Sequence, residues 1–585
     1  MFQRLNRRRV DHRLSLRRRE LRARMRMLGA CDRLEERALL AAPSLALVSE
    51  NLAHNGADVG ALFPSISSDG QYVAFESGSF QGTVTPAPSD LVNGLTVEND
   101  APNVYLRNLV TDSTICLSVN DQAQSTTGND DSRYPIISAN GNTVVFLSNA
   151  TNLVAGDNPS NNPNDDINVF AWERASGKLT LVTLNYEGTG PANDPNPQQF
   201  GTAENISVSA NGDYVAYDSA ATNLVPGEND INFTPNVYVY DLLTNKNILV
   251  SASDAGSGSG IGNGPSDDPV ISADGSTVAY DSLASNLDSK HSSPEQFENY
   301  QVYASTLNDT KDTVASTTLV SVDPTNTTAG DNTSIAPSLS DNGQALAFQS
   351  SSQNLVSIPN GGSFNDVYVR NLATNTTRLV SVNSAGNATG DSSSFAPQIS
   401  GDGNHVLFYS LADNLTSLPV NTQTNVFERN LATNTTLLVS VNYQGTGGAN
   451  NKSTLANQTL VNSSQQADGQ ISDNGQYVTF DSVATDLVPN FEQLNGGSPF
   501  GTDVYLRDTV AGTTTLVSHA VGTSTTGGTG ISVDTDMTPD GGTVTFQSAF
   551  SGGMDNLVSN DTQTQTQLFV TGTASVGTSA PPTII

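Results

Sequence analysis

The 585 residues carry a formal net charge of −33, from 58 acidic and 25 basic groups. Thirteen arginines and five acids fall in the first 40 positions, so the chain after them holds 12 basic and 53 acidic groups, a charge of −41. A body this acidic excludes phosphate-backbone recognition, which needs Lys and Arg, and a hydrophobic content of 36 % with 6 % aromatics sets a core diluted by polar connections.

Residues 1–43 read as a basic export leader. Arg-rich Met1–Arg37 runs into Ala38-Leu39-Leu40-Ala41-Ala42, a short apolar run with small residues for cleavage. The stretch Arg33-Leu34-Glu35-Glu36-Arg37-Ala38-Leu39-Leu40-Ala41 resembles the Leu-Glu-x-Arg-x-Leu-Leu element near the start of many large exported proteins of planctomycete bacteria. That resemblance implies a periplasmic, cell-surface or extracellular destination. Leu28-Gly29-Ala30-Cys31 approximates a lipoprotein box, but mostly basic residues precede it where an apolar segment belongs. A nucleic-acid-binding arm is the weaker reading of the same stretch. No run approaches the eighteen or so apolar residues of a membrane span, so no transmembrane segment is expected.

From residue 44 to 572 one pattern recurs. A turn of the form Ser-x-Asp/Asn-Gly is anchored at Gly70, Gly141, Gly212, Gly275, Gly343, Gly403, Gly475 and Gly541, with Thr538 in place of Ser in the last copy. Ser first, Asp or Asn third and Gly fourth suits a type I turn closed by a left-handed glycine. A strand follows each turn, with Val73, Val144, Val215, Val278, Leu346, Val406, Val478 or Val544 three residues on. An aromatic stands five on (Phe75, Phe146, Tyr217, Tyr280, Phe348, Phe408, Phe480 and Phe546), and Ser stands seven on in every copy. A further strand reads like Asn103-Val104-Tyr105 or Asp366-Val367-Tyr368, and another like Leu379-Val380-Ser381. Four short antiparallel strands per repeat make a propeller blade.

The eighth repeat lacks its Leu-Val-Ser strand, and an orphan copy, Leu45-Ala46-Leu47-Val48-Ser49, precedes the first anchor. The expectation is therefore all-β: a single β-propeller of eight four-stranded blades over 44–572, closed by an N-terminal latch strand, with seven blades as the alternative. Residues 573–585 are expected to be a flexible tail.

Chemistry is sparse. The five histidines (His12, His54, His291, His405, His519) share no repeat with metal-ligand spacing, and Cys31 and Cys116 give no disulfide framework. The repeated serines read as backbone caps rather than nucleophiles. Acidic connections holding Asp157, Asp165, Asp166 and Asn168, and Glu228, Asp230 and Asn236, could in principle hold Ca²⁺, but they lack the Asp-x-Asp-x-Asp-Gly order and read as solvated turns. The positions five before each anchor glycine, expected on the innermost strand, are Ser65, Ile136, Ser207, Val270, Ser338, Gln398, Gln470 and Asp536. One charge in eight is a poor catalytic floor. No catalytic residue, cofactor or metal is expected.

Ile271-Ser272-Ala273-Asp274-Gly275-Ser276-Thr277-Val278-Ala279-Tyr280-Asp281-Ser282, with Val367-Tyr368-Val369-Arg370-Asn371-Leu372 and Leu379-Val380-Ser381, is similar to the TolB-like (WD40-like) propeller repeat. The resemblance covers most of 44–572; TolB's six shorter blades and separate N-terminal domain do not fit, so its envelope role is not transferred. A lone Trp172 without a Gly-His…Trp-Asp pattern sets the chain apart from WD repeats proper. The function expected is a monomeric, non-enzymatic binding or scaffolding module for a protein or glycan of the cell envelope. The rival is a propeller hydrolase or lyase acting on polysaccharide, for which Asp536 and Asp268 are the residues to change.

Overall fold

The computed structural model describes residues 44–571 apart from 55, 58–59, 79–86, 99–100, 156–166, 194–204, 229–233, 255–259, 291–298, 359–363, 455–468, 495–500, 550–555, 560 and 562–564. The leader with His12 and Cys31, the tail, His291, and the acids Asp157, Asp165, Asp166 and Asp230 lie outside the described residues.

Each anchor turn is built as its residue types dictate. In the first, the Ser67 hydroxyl donates to Asp69 at 2.6 Å and accepts from the Tyr72 N–H at 3.1 Å, while the Gly70 N–H closes on the Ser67 carbonyl at 2.8 Å. All eight anchor glycines have φ between +65° and +74°, the left-handed region that side chains resist. The turn joins the first two strands of a sheet, and third and fourth strands follow antiparallel, as in Ser334–Leu339, Ala345–Ser350, Asp366–Asn371 and Thr376–Leu379.

The fold is a β-propeller of four-stranded sheets, but among the described residues the sheets number nine rather than the eight, or alternatively seven, that the repeats suggest. Eight carry an anchor turn. The ninth is assembled from Ala87–Pro88, Thr96–Val97, Ala123–Thr127 and Val119–Asn120, and its middle pair is parallel. It is drawn from two connections of the first repeat and has no anchor, which is why counting anchors overlooks it.

Closure comes from the two ends. Leu45–Leu47 pairs antiparallel with Gln567–Thr571, matching Leu47 to Phe569, and completes the last sheet. The first strands of the first six repeats touch in succession, and that of the eighth repeat, Ile531–Met537, touches that of the first, Ala61–Ile66. One hydrogen bond is common to all eight repeats. The Ser or Thr ending the fourth strand donates to the side chain opening the third, at 2.6–3.2 Å, in the pairs Ser118–Asn103, Thr183–Asn168, Ser251–Asn236, Ser321–Gln301, Ser381–Asp366, Ser440–Asn425, Ser518–Asp503 and Ser49–Gln567. The latch serine thus does in the last sheet what its counterparts do in theirs.

The core is a ring of stacked rings. Each second-strand aromatic lies against its third-strand partner with centroids 5.6–6.0 Å apart, Phe348 on Tyr368 among them. Phe348 is fully buried, so Phe348→Ala is expected to cost about 3–5 kcal/mol in chemical denaturation. Gly343→Val is expected to be at least as damaging, because a Cβ there would sit 2.7 Å from Thr277 Oγ1 at a φ of +65°. Neutral behaviour of both would mean the repeats are misaligned.

Candidate functional site

The first strand of a repeat enters at the end where the second strand leaves and the third begins, as in Ser132 paired with Ser148 and Ser148 with Asn168. One mouth of the ring therefore gathers the long connections from second to third strand. Close to that mouth the first strand is interrupted by a bulge seven residues before the anchor glycine. The register shifts there, and Phe63, Tyr134, Asp268, Ala336, Ala396 and Asp534 all have φ between +51° and +56°. Five of the six precede a proline (Pro64, Pro135, Pro269, Pro337, Pro397), which within a sheet is confined to edges and bulges.

Four of the six bulges are held by a side chain of the neighbouring repeat. The amide of Tyr134 donates to Glu76 at 3.0 Å, that of Ala336 to Asp281 at 3.3 Å, that of Ala396 to Gln349 at 3.0 Å, and that of Phe63 to Gln547 at 3.4 Å. Each acceptor lies six residues after the preceding anchor. The second repeat has Leu147 at that position, and the residue that would bulge next, Asn205, keeps negative φ and donates instead to Asp218 of its own repeat at 2.9 Å. A second row of clasps sits two residues on, where Ser65, Ser207, Ser338 and Asp536 accept from Ile137, Ile271, Ile399 and Ile66 of the next repeat at 2.8–3.2 Å.

Asp536 is therefore on the innermost strand as expected, and it serves as a clasp. Burial holds its carboxyl at about 6, against the opposing effect of the Ile66 and Met537 amides. Asp268, the other acid singled out, sits on a bulge and accepts from Asn205 Nδ2 at 3.0 Å. It belongs to an arc of Asp218, Asp267, Asp268 and Asp281, with the Tyr300 hydroxyl on Asp267 at 3.0 Å. Burial first, then the neighbouring Asp268, Asp267 and Asp218, push Asp281 far above the usual carboxylate range. Both causes favour the protonated form of that carboxyl. On another part of the bulge ring Phe63 and Tyr134 face each other with centroids 4.9 Å apart.

The other candidates are absorbed by the scaffold. Asn168 and Asn236 receive the fourth-strand hydroxyls, and Glu228 is bonded by the Tyr238 hydroxyl. After the second strand of the second to eighth repeats an Asn or Asp precedes a Leu, and these residues (Asn152, Asn223, Asn286, Asn354, Asn414, Asp486 and Asn556) each accept an amide from the connection arriving from the preceding repeat at 2.8–3.2 Å. His405 Nδ1 lies 2.5 Å from Glu428, and buried His519 bonds a carbonyl. Cys116 is a free thiol that burial pushes up to about 12. Among the described residues, Glu50, His54 and Asp112 bring three potential metal-ligand atoms within 4.8 Å of one another. Arg107 Nη2 bonds both of those carboxylates, reaching Glu50 at 2.5 Å, so a cationic group is already in place.

The bulge ring escapes sequence reasoning because its residues share no type: Phe, Tyr, Asn, Asp, Ala, Ala and Asp at the described copies. The prolines one residue later were the available signal.

No protein-family model and no curated protein matches the chain. Among solved structures it is similar to an oligogalacturonate lyase from Vibrio parahaemolyticus (11 % identity, 80 % of this chain, 97 % of that one, TM-score 0.40). It is also similar to TolB from Acinetobacter baumannii (11 % identity, 76 % and 80 %, TM-score 0.30) and to the propeller domain of a protease from Pyrococcus furiosus (8 % identity, 77 % and 94 %, TM-score 0.37). No helix among the described residues is long and apolar enough to cross a membrane.

Proposed function

We propose that the chain is an exported β-propeller that binds, without turning over, a protein or glycan of the cell envelope. The observation that supports this most is the bulge ring: a backbone clasped at repeated positions that presents half-buried Phe63, Tyr134, Asp268, Ala336, Ala396 and Asp534 at one mouth. A rigid frame with variable side chains is how scaffolds display binding residues. The basic leader supports export, and the charge of −41 after it supports a partner other than nucleic acid.

The acidic arc favours one other reading, a polysaccharide hydrolase or lyase, because a carboxyl whose burial and acidic neighbours favour its protonated form can act as a general acid. The two readings separate when residues 44–585 are offered envelope proteins and a panel of polysaccharides. The expected result is retention of a partner with no product released. Release of shortened saccharide, abolished by Asp268→Asn or Asp281→Asn, would overturn binding alone and establish the enzyme.

A further inference from the structure

Four of the 12 basic residues beyond the leader, Arg107, Arg370, Arg429 and Arg507, occupy the same place: the fifth residue of the third strand. Each donates Nη1 to a fourth-strand threonine seven residues on, at 2.9–3.1 Å, and each buries its Nε without a partner. What meets Nη2 differs. In the first repeat it is two carboxylates, Glu50 and Asp112. In the fifth it is two amide oxygens, Asn326 at 2.5 Å and Asn375 at 3.4 Å. These partners come from two local positions: the turn after the preceding fourth strand, and the left-handed residue five beyond the arginine.

In the seventh repeat both positions are stripped. Val441 stands where the first repeat has Glu50, Gly445 where the fifth has Asn326, and Gly512 where the two repeats have Asp112 and Asn375. A Cβ at Gly445 would meet nothing within 4 Å, and one at Gly512 would lie 3.8 Å from Arg507 Nη2. The nearby Asp508 carboxylate is taken by the amides of Val510 and Ala511 and by Gln476. Arg507 is only 8 % exposed, forms no ion pair among the described residues, and leaves Nη2 unbonded yet unsealed from solvent. Asp508 acts on the guanidinium only from a distance, and burial lowers the Arg507 pKa despite it; a mostly buried cation with no carboxylate bonded to it gains from a partner that supplies one.

We infer that Arg507, in the space left by Gly445 and Gly512, is a docking site for a carboxylate of an acidic peptide segment. The choice of ligand follows from the first repeat, where the equivalent guanidinium is held by Glu50 and Asp112, carboxylates of a polypeptide. Charge-assisted bonds from a guanidinium to a carboxylate are about twice as strong as neutral ones. The inference deepens the binding reading above and rests on it.

The test uses residues 44–585 and a fluorescent hexapeptide with one central glutamate, beside its glutamine isostere, at about 0.15 M salt, where the body's own field is screened within about 8 Å. Wild type is expected to prefer the glutamate peptide by about tenfold or more, as for a charge-assisted against a neutral bond. Arg507→Met should bring the two peptides to parity. So should the pair Gly445→Asn and Gly512→Asn, which restores the internal partners of the fifth repeat; asparagine already holds positive φ at Asn326 and Asn375, so this variant keeps the fold. Equal binding of both peptides by wild type, undiminished preference in the double-asparagine variant, or binding of polygalacturonate but not of the glutamate peptide would each overturn the site. If the preference fails while an envelope partner is still held intact, this inference alone falls; if polysaccharide is cleaved, the binding reading falls.

Discussion

Removing residues 1–50 is expected to lower the melting temperature of the whole ring sharply, whereas removing 1–43 should leave it unchanged. Leu47 and Val48 are 5 % and 0 % exposed, and Leu45 packs against the same cluster as Phe546 and Phe569. Burying each aliphatic side chain is worth roughly 1.5–3 kcal/mol. The truncation also strips the Ser49 bonds to Gln567 and to the Leu568 amide, at 2.6 and 3.0 Å, and removes Glu50 from buried Arg107. Unpairing Gln567–Thr571 would expose a strand edge, so aggregation should accompany the loss. The combined cost of about 5 kcal/mol or more is a large part of an ordinary domain's 5–15 kcal/mol. Equal melting temperatures for the two truncations would refute the latch.

Stability should fall as pH rises from about 4.5 to 8, and Glu76→Gln should flatten that fall. Burial pushes the Glu76 carboxyl from its usual 4.5 to about 8, against the Tyr134 amide and Arg133, which favour its charged form. Burial likewise pushes Asp366 to about 7 and Asp536 to about 6. A carboxyl whose folded pKa exceeds its unfolded one binds the proton more tightly in the native state, so stability declines between the two values and levels off above the folded one. Among the carboxylates shifted the other way is Asp323: against desolvation, the Thr325 hydroxyl and the Thr327 and Thr328 amides together bring it down to about 2, and its contribution disappears as pH falls from about 4 toward 2. The optimum should therefore lie near pH 4–5. Gln349 and Gln547 already accept bulge amides at the position of Glu76, so glutamine can replace it without losing the clasp. At pH 9 the variant should gain on the order of 5 kcal/mol, given 1.36 kcal/mol per pKa unit over the rise from 4.5 to about 8. A profile parallel to wild type in urea titrations at pH 5, 7 and 9 would show that Glu76 does not carry the effect.

Local chemistry is what the sequence displays. The anchor turn is legible because Ser, Asp or Asn and Gly act on one another within four residues. The latch is legible because its Leu-Val-Ser is missing from one end and present at the other. The ninth sheet is not: its strands are two to five residues long, too short to show a period. Asp536 looks like a lone channel charge until its partner, the Ile66 amide 470 residues away, is seen. Arg507 hides for the same reason. Whether a guanidinium is neutralised depends on side chains in a preceding turn, and Val441 and Gly445 mean nothing until superposed on Glu50 and Asn326.

The claim that this ring holds its ligand without changing it meets its most direct test in the ligand itself. Residues 44–585 would be incubated with the retained envelope partner, protein or glycan, and the bound material released and measured by mass spectrometry against untreated partner. The account predicts identical masses and chain lengths, with retention lost when the docking residues are changed. Shortened chains, appearing at a rate that follows the ring's concentration and stops with Asp281→Asn, would contradict it.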